Sequence, residues 1–252
     1  MKALITGASS GIGRDMARVL SNDYGYDLIL VARDRERLQE LQKELKTNVQ
    51  IVLTDLSDEK KVKELYVLTQ NENIDLLINN AGFGDFGDYR ETNLPKEIDM
   101  INVNVKAVHI LTKTFLKYFE NHDGGQIINV ASIAGLLPGG PLMSTYYATK
   151  SYVTSFTLGI YEELRRNNSN VKISAVCPGP VATNFDNVAG VKFSLRQLSS
   201  EYVARYSLEQ ALKKNKLIII PGATNRLLNF FQRFICTKSM LKMTYKSQKR
   251  KR

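Results

Sequence analysis

The chain has 252 residues, of which 43% are hydrophobic, and its formal net charge is +10 at pH 7. This length is enough for a sizeable core in one α/β domain, and no apolar run reaches the about 20 residues that a bilayer-spanning helix needs. Cys177 and Cys236 are too few for a disulfide framework, and they lack metal-ligand spacing. His109 and His122 are isolated, so we expect no metal site.

The first predicted turn has the features of a nucleotide site. Residues 2–6 (KALIT) read as a short strand, and the turn GASSGIG separates them from the helical pattern RDMARVL. Glycine in such a turn lets the main chain approach a pyrophosphate, which the free N–H groups of the helix attract. The spacing is G-x-x-x-G-x-G, and a plain tight turn is the alternative interpretation. Because the strand begins at Lys2, we expect no cleaved signal peptide and a cytoplasmic protein.

The second predicted strand, YDLILVA, indicates which nucleotide is bound. It ends at Ala32, where an acidic residue would hold the adenosine ribose hydroxyls and repel an added phosphate. Arg33 follows, and its planar guanidinium suits a 2′-phosphate, so NADP(H) is favoured over NAD(H). A solvated residue at the start of a helix is the other interpretation of Arg33. Asp34 is expected to cap that helix.

Strand and helix patterns alternate along the rest of the chain. The later strands are VQIVLTD, IDLLINNAG, QIINVAS, VKISAVCPG and KLIIIPG, and a long helix is predicted around residues 95–121. We predict an α/β fold: a doubly wound (Rossmann) seven-stranded parallel sheet with helices on both faces, in one domain spanning residues 1–225. Ligands bind beyond the carboxyl ends of such strands. Six groups of residues follow predicted strands there: Gly7 to Gly13, Arg33, Asp55, Asn80 to Gly82, Ser132, and Pro178 to Thr183.

A tyrosine and a lysine lie four positions apart in a further predicted helix. Tyr146 and Lys150 should share one helix face, and Ser132 lies fourteen residues upstream. A neighbouring cation lowers the pKa of a phenol from its usual value of about 10, and a serine hydroxyl can hydrogen-bond a carbonyl oxygen. The spacing alone is also typical of a solvated helix face, so the rest of the chain must decide.

Several motifs together resemble the short-chain dehydrogenase/reductase family, from the N-terminus to about residue 185. They are TGASSGIG, NNAG, NVNVKA, the Ser132/Tyr146/Lys150 set and CPGPVAT. The resemblance implies a nicotinamide-dependent oxidoreductase. In it Tyr146 is the general acid or base, Lys150 lowers its pKa and grips the nicotinamide ribose, and Ser132 binds the reacting oxygen. Tyr147 is a rival to Tyr146 only by adjacency.

The resemblance also implies a fourth catalytic residue and a set of cofactor contacts. Asn104 matches a helix asparagine that positions a water for proton relay, although a contact with backbone is the alternative. Asp55 resembles a carboxylate that contacts the adenine amino group, with helix capping as the alternative, and Thr183 resembles a nicotinamide contact or an ordinary loop residue. The full predicted cofactor set is Gly7, Ser9, Ser10, Gly11, Ile12, Gly13, Arg33, Asp55, Leu56, Asn80, Ala81, Gly82, Tyr146, Lys150, Pro178, Gly179, Val181 and Thr183.

The predicted substrate pocket is apolar. The segment from Asn184 to about Leu198 should cover the active site, before Ser199 and Ser200 cap the next helix. The pocket residues are predicted to be Pro138, Leu142, Met143, Phe185 and Val188, with Val191 and Phe193 nearby.

Such a pocket suits a hydrophobic ketone or aldehyde, or the corresponding alcohol. We therefore expect an NADP(H)-dependent carbonyl reductase or alcohol dehydrogenase that forms a homodimer or homotetramer. The alternative is a catalytically idle NADP-binding regulator or membrane-associated partner protein.

The positive charge is concentrated at the C-terminal end. Residues 226–252 hold nine basic residues and no acidic one, which accounts for nine of the ten net positive charges, so we treat them as a basic amphipathic extension. Its apolar residues recur at roughly helical spacing: Leu227, Phe230, Phe231, Phe234, Ile235 and Leu241.

Three interpretations of this extension remain open. It packs on its own domain or on a second subunit, which we favour, or it contacts a membrane surface peripherally, or it binds nucleic acid, which we do not expect. If it packs, truncation after Pro221 should lower the melting temperature or break a dimer, whereas removal of residues 238–252 should not.

Overall fold

Seven parallel strands form the central sheet of the computed structural model, which describes residues 1–185, 189–190 and 197–249. The predicted doubly wound sheet is confirmed. Two short segments form a separate parallel pair: β7 (Val181–Ala182) and β8 (Leu198–Ser199). Across the sheet the order is β3 (Val49–Leu53), β2 (Asp27–Ala32), β1 (Lys2–Thr6), β4 (Leu76–Asn79), β5 (Gly125–Val130), β6 (Val171–Val176) and β9 (Ile218–Ile219).

The strand order reverses next to β1. The chain first moves outward through β2 and β3, and then returns to place β4 on the other side of β1. The loops after β1 and β4 therefore diverge at their carboxyl ends, which opens a crevice of the kind in which doubly wound sheets bind ligands.

Nine α-helices are present in the described parts of the chain. They are α1 (Gly11–Tyr24), α2 (Arg35–Glu44), α3 (Glu59–Thr69), α4 (Leu94–Ile101), α5 (Val108–Asn121), α6 (Ser144–Arg166), α7 (Ser200–Leu208), α8 (Ala223–Phe231) and α9 (Thr237–Lys249). The expected caps are present, because Asp34 accepts the Arg37 N–H and Ser199 accepts the Tyr202 N–H. Within the described ranges, no helix is both long enough and apolar enough to cross a membrane.

The long helix expected around residues 95–121 is present but is not uniform. A π-helical segment, Asn102–Ala107, joins α4 to α5. Such widened turns shift the side-chain register and occur often at functional sites. Asn104 lies in this segment and is completely buried.

Alternate residues of the strands build two hydrophobic cores, one on each face of the sheet. Ile5 and Leu30 pack towards α1 and α2 on one face, whereas Leu4, Ile29 and Phe115 belong to the core on the other face. Because both faces are covered, the inner strands are mostly apolar, and the buried Asn79 amide donates to Asn129 (2.9 Å) on the neighbouring strand. The carboxyl edge of this rigid sheet is the platform on which the site is built.

Candidate active site

The glycine-rich turn after β1 is closely packed against the loop after β4. The amide nitrogen Nδ2 of Asn80 donates to the carbonyl oxygens of Thr6 (3.0 Å) and Gly7 (3.1 Å). A Cβ on Gly13 would lie 2.3 Å from that nitrogen, so only glycine packs at this position. Gly13 is not among the residues that line the cleft. Gly7 and Gly11 have φ values of +66° and +53°, which favour glycine.

The first turn of α1 leaves N–H groups available for an anion. Its N-cap residue, Ser10, makes no side-chain capping hydrogen bond, and no acidic residue lies in the first turn. Unpaired N–H groups and the positive end of the helix dipole favour a phosphate at this position. This donor set fits the pyrophosphate of a dinucleotide.

The end of β2 presents cationic side chains to the same cleft. Ala32 offers no carboxylate, and both Arg33 and Arg37 line the cleft. Arg37 is also paired with Asp34 (Nε to Oδ2, 3.3 Å). Arg37 was not among the predicted residues; it lies in the first turn of α2, which directly follows the loop after β2.

Asp55 lines the cleft and does not cap helix α3, whose N-cap is Asp58. Its Oδ1 accepts hydrogen bonds from the backbone N–H (3.0 Å) and the hydroxyl (2.9 Å) of Ser57. The backbone hydrogen bond from Ser57, with the nearby charges of Arg33 and Lys61, holds its pKa below the usual value. Asp55 is therefore an ionised acceptor in the cleft.

Ser132, Tyr146 and Lys150 meet at the other end of the cleft. Ser132 follows β5, and Tyr146 and Lys150 occupy one face of α6, as the four-residue spacing predicts. The Ser132 hydroxyl donates to the Pro178 carbonyl (3.4 Å) and accepts the Ala134 N–H (3.1 Å), and the Tyr146 hydroxyl lies in the same part of the cleft. The Lys150 ammonium donates to the carbonyl oxygen of Val130 (2.9 Å).

Burial dominates the pKa values of this group. It raises the pKa of Tyr146 to about 12, against the lowering effect of the neighbouring Ser132 hydroxyl, and it lowers the pKa of Lys150 to about 8. Our expectation that Lys150 lowers the Tyr146 pKa is thus wrong for the protein alone. The physical reason is that desolvation of the phenolate outweighs the lowering contributions, and the Lys150 ammonium is directed to the Val130 carbonyl.

Asn104 connects the loop after β4 to helix α6. Its Oδ1 accepts the Phe83 N–H (3.1 Å), and its Nδ2 donates to the Phe83 carbonyl (2.9 Å) and the Thr149 hydroxyl (3.1 Å). The side chain therefore contacts backbone, as the alternative interpretation stated, and it is not among the cavity-lining residues. It still lies beside Lys150, because a Cβ on Gly82 would be 2.9 Å from Asn104 Oδ1 and 3.2 Å from Lys150 Nζ.

Both ends of the cleft open into one cavity of about 800 Å³. Met143 and Phe185 line it as predicted, and the Phe185 ring lies 5.3 Å from the Tyr146 ring. Of the predicted cofactor set, every residue but Gly13 lines this cavity: Gly7, Ser9, Ser10, Gly11, Ile12, Arg33, Asp55, Leu56, Asn80, Ala81, Gly82, Tyr146, Lys150, Pro178, Gly179, Val181 and Thr183.

Two predicted pocket residues do not reach the cavity. Pro138 is exposed, and the neighbouring Leu137 lines the cavity instead. Leu142 has a left-handed φ of +67° and lines a separate small pocket. The spacing of residues in the sequence does not reveal a left-handed backbone conformation at one position. Val188, Val191 and Phe193 lie outside the described residues.

The C-terminal helix α9 supplies a wall that sequence analysis did not assign to the pocket. Met240, Thr244 and Gln248 are buried, and together with Met243 they line the cavity. The Gln248 amide Nε2 donates to the Tyr147 hydroxyl (2.7 Å), so Tyr147 is engaged by the tail. The four-residue spacing of the three buried residues was the available signal.

Comparisons with known proteins agree with this geometry. A family model described as short chain dehydrogenase matches residues 1–191. An uncharacterized oxidoreductase of Staphylococcus epidermidis is 34% identical over 184 residues, which cover 72% of this chain and 78% of the relative.

Three solved structures are similar in fold. A short-chain dehydrogenase from Sphingobium yanoikuyae in complex with NADPH is 28% identical, with a TM-score of 0.81 over 92% of this chain and 94% of its own. One from Burkholderia phymatum in complex with NAD is 28% identical, with a TM-score of 0.80 over 89% and 91%. A bulky-bulky ketone specific alcohol dehydrogenase from Comamonas testosteroni is 28% identical, with a TM-score of 0.77 over 92% and 91%. The chain therefore belongs to the short-chain dehydrogenase family and has the fold of an oxidoreductase that binds a nicotinamide cofactor.

Proposed function

We propose that the protein interconverts a hydrophobic ketone or aldehyde and its alcohol, with NADP(H) as the cofactor and Tyr146 as the acid or base. One observation carries this proposal. The Tyr146 and Ser132 side chains lie in the same cavity as the N-terminus of α1, which has no side-chain cap, and the Arg33 side chain. The two hydroxyl groups suited to proton transfer thus lie in the same cavity as the N–H groups and the guanidinium group suited to binding a dinucleotide.

The residues of the chain provide proton transfer and orientation, and the nicotinamide supplies hydride exchange when it is bound. A Tyr146 pKa of about 12 keeps the phenol protonated near neutral pH, so it can donate its proton to a carbonyl oxygen. The Ser132 hydroxyl hydrogen-bonds the same oxygen and stabilises its developing charge. Lys150 places a cation next to this pair, on the same face of α6.

The walls of the cavity support an apolar substrate. Leu137, Met143, Phe185, Met240 and Met243 line it near the reactive end. Apolar side chains of this size favour a substrate with a hydrophobic body on either side of the carbonyl group. The Comamonas enzyme, specific for bulky-bulky ketones, gives this class a precedent among similar structures.

The preference for NADP(H) rests on Arg33. Arg33 offers a guanidinium group at the end of β2, where Ala32 provides no carboxylate, and Arg37 is paired with the Asp34 carboxylate that also lines the cleft. Similar structures hold NADPH in one case and NAD in another, so the choice is made by the residues of each chain.

The proposed assembly is a cytoplasmic homodimer or homotetramer joined through α5 and α6. His109 stacks on Phe156 (4.9 Å between ring centres) and Tyr152 stacks on the same ring (5.5 Å), which forms an aromatic row at the surface of these helices. Gly159 lies further along α6 with open space around the position of a Cβ, which leaves room for a second helix. Sedimentation velocity of Gly159→Arg against the unmodified protein tests this interface.

A substrate screen tests the function. The purified protein is incubated with NADPH and a panel of ketones and aldehydes that differ in the size of their apolar groups, and loss of NADPH is followed by absorbance. We expect turnover, with the highest kcat/KM for ketones that carry two bulky groups. Tight NADPH binding without turnover of any compound would favour the catalytically idle regulator or membrane-associated partner instead.

A further inference from the structure

Helix α8 turns its apolar side chains towards solvent. Leu227, Phe230 and Phe231 are between 52% and 57% exposed, and Phe234 in the following turn is 74% exposed. We call these four residues the apolar tail face; Leu228, on the other side of the helix, lines the cavity. The Phe230 ring lies 5.5 Å from both the Phe231 and the Phe234 ring, so the three rings form one continuous patch. None of the residues of α8 is buried.

The domain holds this face outward. The Arg226 guanidinium donates to the Tyr206 hydroxyl (3.1 Å) and the Ile220 carbonyl (3.3 Å), and it lies over the Tyr206 ring. At the other end of the helix, the Gln232 amide donates to the Leu136 carbonyl (3.0 Å). The exposure of the rings is thus a property of a docked helix with polar anchors at both ends. Large exposed aromatic patches mark interaction surfaces.

Positive charge accompanies the apolar tail face. Arg233 lies between Phe231 and Phe234 in the chain, Lys238 follows Phe234 by four residues, and Lys242, Lys246 and Lys249 lie on exposed positions of α9. Within the described ranges none of these five has an acidic side chain at ion-pair distance, and the sequence from residue 226 to 252 contains no acidic residue. The surface therefore combines protruding aromatic rings with uncompensated basic side chains.

We propose that the apolar tail face docks on an anionic lipid bilayer, with its rings in the interface and the basic side chains of α9 near the headgroups. Charge decides between this surface and a second copy of the chain. In a symmetric dimer the same patch contacts itself, which would bring two unpaired basic clusters together. An anionic bilayer neutralises them, and each basic residue near it increases affinity by about fivefold.

The chain contains no tryptophan, so a single substitution provides a specific probe. Phe231→Trp places the only indole on the apolar tail face, and Leu68→Trp, at a 64% exposed position of α3, is the matched control. Both are mixed with vesicles of phosphatidylcholine that contain roughly 30% phosphatidylglycerol. We expect a blue-shifted emission and quenching by brominated lipids for Phe231→Trp only, with loss of the signal at high salt because the attraction is screened.

Vesicle flotation with full-length variants tests the two components separately. Phe231→Glu with Phe234→Glu should reduce binding at least tenfold, and so should Lys238→Glu with Lys242→Glu, whereas Leu68→Glu and Lys117→Glu should not. The proposal is overturned if the unmodified protein does not float with anionic vesicles at low salt, or if neutral vesicles bind it equally. It is also overturned if the Phe231/Phe234 variant instead loses self-association in sedimentation velocity, because the face would then be a subunit interface.

Discussion

The two sides of the cavity are constructed differently. On the cofactor side, short motifs directly follow strands of the sheet, and they meet because all parallel strands end at one edge. On the substrate side, Met240 and Gln248 reach the cavity from a helix that begins more than 60 residues after the end of β6 in the chain. The positions of the cofactor-side residues follow from the topology of the sheet. The positions of the substrate-side residues depend on how the C-terminal extension packs against the domain. We therefore expect substitutions on the two sides to affect different quantities.

The largest effect should come from the phenol. Tyr146→Phe removes the proton donor but keeps the ring against Phe185, so kcat should fall by about a thousandfold while the Kd for NADPH changes little. Tyr161→Phe, on the same helix outside the cavity lining, is the control and should retain activity. Steady-state kinetics and cofactor titration measure both quantities. Activity retained in Tyr146→Phe would disprove its assignment.

The next effect concerns the cofactor side. Arg33→Ala should weaken NADPH binding about tenfold to a hundredfold and leave NADH binding unchanged, because a charge-assisted contact to the 2′-phosphate is lost. Arg35→Ala is the matched control, since Arg35 starts α2 without lining the cavity. Equal Kd values for NADPH and NADH in the unmodified protein would contradict the proposed preference.

Removal of α9 tests the substrate side. A chain that ends after Cys236 loses Met240 and Met243 from the cavity wall, so KM for a bulky ketone should rise about tenfold or more while the Kd for NADPH stays within about twofold. The melting temperature should also fall by a few degrees, about 2–4 °C for each kcal/mol lost. Since Thr244 and Gln248 are buried, we correct our expectation that loss of residues 238–252 leaves stability unchanged.

A milder variant separates the wall from the rest of the tail. Gln248→Leu keeps the helix but removes the hydrogen bond to the Tyr147 hydroxyl, so KM should change by only a few fold. An unchanged KM in the truncated chain would show that α9 does not contribute to substrate binding.

The smallest effect is a pH-dependent change in stability at Lys150. Its folded pKa of about 8 lies below the model value of 10.5, so between these pH values the unfolded chain binds more protons and stability rises with pH. Relative to Lys150→Met, the unmodified protein should gain roughly 1–3 kcal/mol between pH 7 and pH 10. The hydrogen bond to Val130 is strongest for the ammonium, so its contribution titrates with Lys150 and is part of the measured difference. Denaturant unfolding at several pH values measures the gain, and a constant difference would argue against a buried ammonium.

Sequence reasoning was most informative where structure is local. The strand ends, the turn after β1 and the Tyr146/Lys150 spacing depend on neighbouring residues, so the sheet and most cofactor-side residues could be predicted. Leu142 was misplaced because its backbone adopts a left-handed φ of +67° and its side chain lines a separate small pocket. The pKa of Tyr146 was predicted in the wrong direction because burial depends on the assembled cavity.

For a related reason, the sequence did not predict a single role for the C-terminal extension. Its periodic apolar residues indicated helices. The pattern did not show that the apolar residues of one helix face solvent whereas those of the next helix are buried. Met240 of α9 is 8% exposed, whereas Phe234 just before it is 74% exposed. Which apolar residues face inward depends on tertiary contacts such as the one between Gln232 and Leu136.

Helix α9 has one face in the cavity and another in solvent, and this makes it a thermodynamic link between the two. Met240, Thr244 and Gln248 follow each other at four-residue intervals on the inner face, while Lys242 and Lys246 are exposed on the outer face. By whatever factor a ligand in the cavity changes the affinity of the outer face for a partner, that partner must change the affinity for the ligand by the same factor. We therefore expect two different substrate affinities, one for the protein alone and one for the protein bound to a surface through α9. The two values differ if binding to that surface moves the helix.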